Sequence, residues 1–265
     1  MNYQIEKVMS KRILALFQDK TKDILNVYCT AGYPSLDSLP VVMEALQTYG
    51  ADLIEIGMPY SDPLADGPVI QASSNRALQN GMTLELLFEQ LKAFRKKIRL
   101  PVILMGYMNP VIQYGFDRFC KNAKSVGIDG LILPDLPIYE FLQEYGPLVK
   151  KNQLDFIFLV TPETTESRIR QIDELSSGFL YAVSSSSTTG QTKTLSDQVP
   201  YFEKLATLQL KNPVLIGFGI KDRDTFRLAC GHAHGAIIGT AYIKALGEGG
   251  DINLTTKAFL DGILR

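Results

Sequence analysis

In the stretch Leu53-Ile54-Glu55-Ile56-Gly57 one carboxylate stands among apolar residues that read as a strand buried on both faces. Burial disfavours the charged form of an unpaired carboxyl, so the pKa of Glu55 is expected to rise. A carboxyl raised in this way can both give and take a proton near neutral pH. The plainer alternative is a structural Glu tied to the backbone or to an Arg. Charged residues are rarely buried without cause, which favours catalysis. Two further carboxylates, Asp62 and Asp66, follow in the Pro- and Gly-rich stretch 58–68. Asp beside Pro forms turns through local side-chain bonds, so for Asp62 a turn role and a functional role weigh evenly. Asp66 is read as a substrate contact on a loop that folds over the site as a lid. Asp135, in Leu133-Pro134-Asp135-Leu136-Pro137, either caps the next helix or stands on a partner-facing rim.

Other positions suit an anion. Gly217-Phe218-Gly219-Ile220 and Gly239-Thr240 each close a β-branched run. Glycines there let backbone N–H groups approach a phosphate, and a short helix starting at Thr240 would present its positive end. The plainer reading, that the glycines only ease tight turns, is weaker because two fall in the two loops where barrels bind phosphate. The run 184–191, four Ser and two Thr ending in Gly190-Gln191, follows Tyr181 and reads as a mobile polar loop placed to act as a lid. Some chemistries are disfavoured. No Lys lies within the strand-like cores, which argues against a Schiff-base mechanism. His232 and His234 are the only two histidines, with no third ligand in view, so no metal is expected.

These residues need a frame that brings strand ends together. Eight short apolar runs read as buried strands: 24–31, 52–58, 102–108, 130–135, 155–161, 178–184, 214–219 and 235–239. Helical periodicity fills the gaps. In 84–97, Leu84, Leu87, Phe88, Leu91 and Phe94 share one face. Thr83, Thr164 and Asp222 read as N-caps, and Pro40 lies in a first turn, where its missing N–H does no harm. Strict alternation requires a parallel sheet. Eight units without a linker, and no Gly-rich dinucleotide loop after the first strand, favour a single α/β domain. The expected fold is a (β/α)8 TIM barrel over 1–265, with an N-terminal helix and an extended loop and helix insertion after the second strand.

Composition agrees with a globular enzyme. The chain has 27 basic and 28 acidic residues and is 46% hydrophobic, with no basic tract for nucleic acid or a membrane surface. The N-terminal 22 residues lack an apolar signal core, and no stretch reaches the length of a bilayer span. Cys29, Cys120 and Cys230 are isolated and odd in number, which suits a reducing, cytoplasmic setting.

The run from Ile54 to Gln71, containing Glu55, Gly57-Met58-Pro59-Tyr60-Ser61-Asp62-Pro63-Leu64-Ala65-Asp66-Gly67-Pro68, resembles the signature of the tryptophan synthase α subunit family. Thr30-Ala31-Gly32-Tyr33-Pro34, Met105-Gly106-Tyr107-Met108-Asn109-Pro110 and the 133–137 and 217–220 motifs extend the resemblance over nearly the whole chain. It implies retro-aldol cleavage of indole-3-glycerol phosphate to indole and glyceraldehyde 3-phosphate. Glu55 then matches the acid–base that protonates ring carbon C3, and Asp66 the carboxylate that holds the indole N–H. Tyr181 matches an active-site tyrosine, Tyr28 and Tyr107 substrate-pocket aromatics, and Thr189, Gly190, Gly219, Gly239 and Thr240 the substrate and phosphate contacts. Where the family's mobile loop carries Arg-x-Gly-Val before Thr-Gly, this chain has Ser185-Ser186-Ser187-Thr188. The resemblance also implies a β subunit as partner in an α2β2 assembly, docked on the rim of Asp62 and Asp135. Pyridoxal phosphate would belong to that partner, with no cofactor in this chain. Two other readings stay open: a phosphosugar-type barrel isomerase, for which Cys29 is a candidate acid–base, and a non-catalytic activator of the β subunit.

Overall fold

The computed structural model describes residues 10–183 and 194–265. Nine parallel strands lie among them: β1 Ile24–Thr30, β2 Leu53–Gly57, β3 Val102–Met105, β4 Gly130–Ile132, β5 Asp155–Phe156, β6 Leu159–Val160, β7 Leu180–Val183, β8 Val214–Gly217 and β9 Gly235–Ile238. Their spatial order is β5-β4-β3-β2-β1-β9-β8-β7-β6. The two ends of that row, β5 and β6, are consecutive in the chain, separated only by Ile157 and Phe158. They are the halves of the strand expected at 155–161, the first paired with β4 and the second with β7. The Ile157 N–H donates to the Leu131 carbonyl at 3.0 Å, and the Tyr181 N–H to the Phe158 carbonyl at 3.1 Å. The row therefore closes as a (β/α)8 barrel, with the break where the closing strand changes partner.

Side-chain alternation divides the core in two. Ile24, Tyr28, Leu53, Ile103, Met105, Tyr181, Leu215 and Ile237 point inward and fill the barrel. Leu25, Val27, Ile54, Ile56, Leu104 and Ile216 point outward against the helices. Between β2 and β3 the chain places the loop 58–67 and then two helices, Pro68–Gln79 and Leu84–Phe94. The N-terminal helix Lys11–Asp19 plugs the end of the barrel where the strands begin, with Ile13 fully buried among the inward residues. No described helix is long and apolar enough to cross a membrane.

Several expected boundaries shift for identifiable reasons. The third run leaves the sheet after Met105, and Met108 opens a helix, Met108–Tyr114, instead of continuing the strand. The fourth ends at Ile132, which frees Asp135 to accept the Met108 N–H through both carboxylate oxygens at 3.0 Å. Asp135 thus satisfies the start of the helix after β3, not of the one that follows it in the chain. The helix at 84–97 ends at Phe94 and tightens into a 3-10 turn, Arg95–Lys97, as Arg95 turns inward to buried carbonyls. Thr83 and Asp222 cap as expected, accepting from Leu86 N–H at 3.1 Å and Thr225 N–H at 2.9 Å. Thr164 does not: its hydroxyl accepts the Thr161 N–H at 2.9 Å within a turn, and Thr165 occupies the N-cap position without a side-chain bond.

Candidate active site

Glu55 projects inward from the middle of β2, level with Tyr28 on β1, and is fully buried. Its one hydrogen bond in the described structure is to a neutral group: Asn26 Nδ2 donates to Oε2 at 2.8 Å. Oε1 has no partner, and no cation touches either oxygen. Burial pushes the Glu55 carboxyl up to about 8, the Asn26 bond pulls it back in part, and the negative charge of Asp66 raises it further. Among the described residues neither form of the structural alternative is seen, since no Arg and no backbone group bonds Glu55.

Asp66 comes from the loop beyond β2 and lines the same cavity as Glu55. Tyr107, just past β3, donates its hydroxyl proton to Asp66 Oδ2 at 2.9 Å and accepts the Ala65 N–H at 3.0 Å. One phenol thereby fixes both the loop and its carboxylate. Burial raises the Asp66 pKa, and the Tyr107 bond opposes the rise. Tyr107 therefore positions Asp66 from behind the cavity wall, which it does not itself line. Tyr28 and Tyr181 face the cavity as neutral phenols, their pKa values driven up chiefly by burial and further by the charges of Asp66 and Glu55.

The opposite wall is made of a sharp turn after β8 and the N-terminus of a helix. Phe218 and Gly219, after β8, both take positive φ, +70° and +76°, so the chain turns sharply into the cavity. The glycine accepts this freely, whereas Phe218 is held there against an intrinsic cost of about 1–2 kcal/mol. Gly239 precedes the helix Thr240–Gly247, whose N-terminus carries no side-chain cap and no acidic residue in its first turn. Its first N–H groups lack intrahelical acceptors and point the helix dipole at the cavity. Gly219, Gly239 and Thr240 line one cavity with Glu55, Asp66, Tyr28 and Tyr181.

The remaining candidates fall into four groups. Thr189 and Gly190, with the Ser/Thr lid, lie outside the described residues. Asp62 is exposed on the rim and accepts a hydrogen bond from the Ser61 hydroxyl. Cys29 faces the outer strand–helix layer, and burial lifts its thiol to about 12, which removes it as an acid–base partner. His232 and His234 lie at the far end of the barrel, where the His234 ring accepts the Val214 N–H at 3.1 Å. The recess there, about 340 Å³ against about 120 Å³ for the cavity at Glu55, is larger but lined by no carboxylate. Among the described residues no three His, Cys, Asp or Glu side chains are grouped to hold a metal.

Sequence reasoning missed Asn26, and missed Ile70, Ile220 and Ile237 as apolar cavity lining. A signal for Asn26 was present: it is the one amide in β1 and shares the parity of Tyr28.

Fold and site together define a barrel enzyme with a buried carboxyl of raised pKa across a cavity from an uncapped helix N-terminus. The family model for the tryptophan synthase alpha chain matches residues 14–259. A tryptophan synthase alpha chain of Phocaeicola vulgatus is 47% identical over 254 residues, covering 95% of this chain and 98% of that one. One from Flavobacterium johnsoniae is 51% identical over 230 residues, 86% of this chain and 91% of that one. Among solved structures, tryptophan synthase from M. tuberculosis superposes with a TM-score of 0.83 at 30% identity, over 95% of this chain and 99% of that one. A tryptophan synthase complex from Pyrococcus furiosus gives 0.82 at 33%, over 92% and 99%. The chain belongs to the tryptophan synthase alpha chain family.

Proposed function

We propose that this chain, a single barrel domain, cleaves indole-3-glycerol phosphate to indole and glyceraldehyde 3-phosphate, the alpha-subunit step of tryptophan biosynthesis. The reading rests on one observation above all: a buried carboxyl with a free oxygen and no cation lines the same cavity as a second carboxylate and an uncapped helix N-terminus.

The difficulty of the reaction is that an aromatic ring must become a leaving group. Glu55, protonated up to about pH 8, gives its proton to indole C3, which breaks aromaticity and turns the ring into an electron sink. Asp66, held by Tyr107, accepts the indole N–H and stabilises the positive charge that develops there. The glycerol hydroxyl beside the breaking bond then loses its proton to the Glu55 carboxylate. The electrons of the carbon–carbon bond return to the ring, the aldehyde forms, and Glu55 ends protonated as it began. Gly219, Gly239 and Thr240 hold the phosphate, joined by Thr189 and Gly190, and Tyr28 and Tyr181 frame the ring.

A β subunit is the proposed partner, in an α2β2 assembly, through the rim of Asp62 and Asp135, and pyridoxal phosphate is assigned to it. The proposed location is the cytoplasm, consistent with three buried free cysteines. Purified protein given indole-3-glycerol phosphate should release indole, faster with a β subunit present. Glu55→Gln should abolish release by at least about 100-fold while leaving substrate binding measurable. Activation of a β subunit without indole release by the wild-type chain would instead establish the non-catalytic activator.

A further inference from the structure

The proposed cycle uses Glu55 in both protonation states, so whatever aims its carboxyl must serve both. A cation would lock it as the anion. With no partner at all, the side chain would be free to rotate away from the substrate. The structure offers a third arrangement. Asn26 is fully buried on β1, its Nδ2 donates to Glu55 Oε2 at 2.8 Å, and its Oδ1 has no partner. The two ends of an amide are nearly the same shape but opposite in hydrogen-bonding sense. Rotated by half a turn, the same side chain presents its oxygen to a protonated carboxyl.

Resting on the lyase reading, we propose that Asn26 is a positioning residue for Glu55: its amide donates to the carboxylate and, rotated, accepts from the carboxylic acid, so that Glu55 stays aimed while its charge changes. Among the described residues, the surroundings leave this role to Asn26 alone. Tyr28 on β1, Asp66 from the loop after β2 and Tyr181 on β7 are the titratable groups that face the carboxyl, and none is bonded to it. Cys29 lies on the outer side of β1. The inward residues of β3, β8 and β9 are Ile103, Met105, Leu215 and Ile237, all uncharged.

The test combines a carboxyl NMR titration of Glu55 in the substrate-free chain with the pH profile of indole release. Asn26→Leu keeps the volume and removes the donor. The Glu55 midpoint should rise by about one pH unit, because the bond lost by the carboxylate is charge-assisted and stronger than the neutral one lost by the acid. The high-pH limb of kcat should move the same way, with kcat down about 10-fold or more and KM changed far less. Asn26→Asp, nearly isosteric, covers the case in which the leucine variant does not fold. Two carboxyls at this distance should share one proton and titrate in two separated steps. Unmoved midpoint and profile in Asn26→Leu, or two unperturbed carboxyl titrations in Asn26→Asp, would overturn the role of Asn26. Absence of indole release by the wild-type chain would sink the lyase reading itself, whatever the variants show.

Discussion

At the scale of single residues, the raised pKa of Glu55 makes the stability of the fold depend on pH. Its folded pKa, about 8, stands above the ordinary carboxyl value of 4.5. Between those two values the folded chain binds a proton that the unfolded chain has released, so stability falls as pH rises through the window. The contribution is fully present below about 4.5 and is lost by about 8, at a slope approaching about 1.4 kcal/mol per pH unit. Asp155, raised to about 6 mainly by burial, adds a smaller loss of the same sign at the acidic end of the window. Glu55→Gln removes the titration and keeps the Asn26 contact. Its melting temperature should exceed that of wild type at pH 8 and converge with it near pH 4.5, in a scan of thermal unfolding against pH. A constant difference across the range would mean that Glu55 is not the proton-holding group.

At the scale of elements, strand parity decides which side chains meet. In β1, β2 and β7 every second residue points inward, which brings Tyr28, Glu55 and Tyr181 to one cavity. Two glycines make room for the rings. A Cβ on Gly57 would lie 1.9 Å from the Tyr28 hydroxyl oxygen, and one on Gly217 would lie 2.4 Å from that of Tyr181. The obstacle in each case is the free end of a ring, so an added methyl displaces the ring and spares the backbone. Gly217→Ala should fold normally by circular dichroism yet lose about 10- to 100-fold in kcat/KM for indole release, as misplaced catalytic groups do. Unchanged efficiency would show that Tyr181 is not held by β8. Much of this was legible in the chain: the apolar runs gave the strands, and Glu55 stood out as the lone charge in one of them. Less legible were features set by neighbours distant in sequence. The fifth strand breaks because its halves answer to different partners, and Asp135 serves a helix that begins 27 residues before it. The sequence places Tyr107 at the end of the third strand and, by resemblance, in the substrate pocket; its hold on Asp66 exists only once folding brings the loop to it.

At the scale of the whole molecule, the two ends of the barrel differ, with the Glu55 cavity toward the strand C-termini and an ion-pair network at the other end. There Asp129, 2% exposed, gathers Arg95 Nη2 at 2.9 Å, Arg12 Nη1 at 2.7 Å, the Ser10 hydroxyl at 2.5 Å and the Val102 N–H at 2.9 Å. Ser10 also donates its N–H to Asp155 at 2.9 Å, which ties the start of the N-terminal helix to the interrupted closing strand. No local pattern announces this cluster, because its members come from four separate stretches of chain. Arg95 and Asp129 are both buried, so removing one leaves the other uncompensated. Asp129→Ala should lower unfolding stability by about 3–5 kcal/mol in urea titrations. Replacing the pair together, Arg95→Met with Asp129→Leu, should recover part of that loss, since an apolar pair can substitute for a buried ion pair. About 1–3 kcal/mol should remain, because Ser10 and Val102 lose their acceptor. Turnover per folded molecule should stay near wild type in both variants, as none of Arg95, Asp129 and Ser10 lines the Glu55 cavity. A single variant within about 1 kcal/mol of wild type would show that the closing end holds without this network. Lost turnover in a fully folded variant would show that the two ends are coupled.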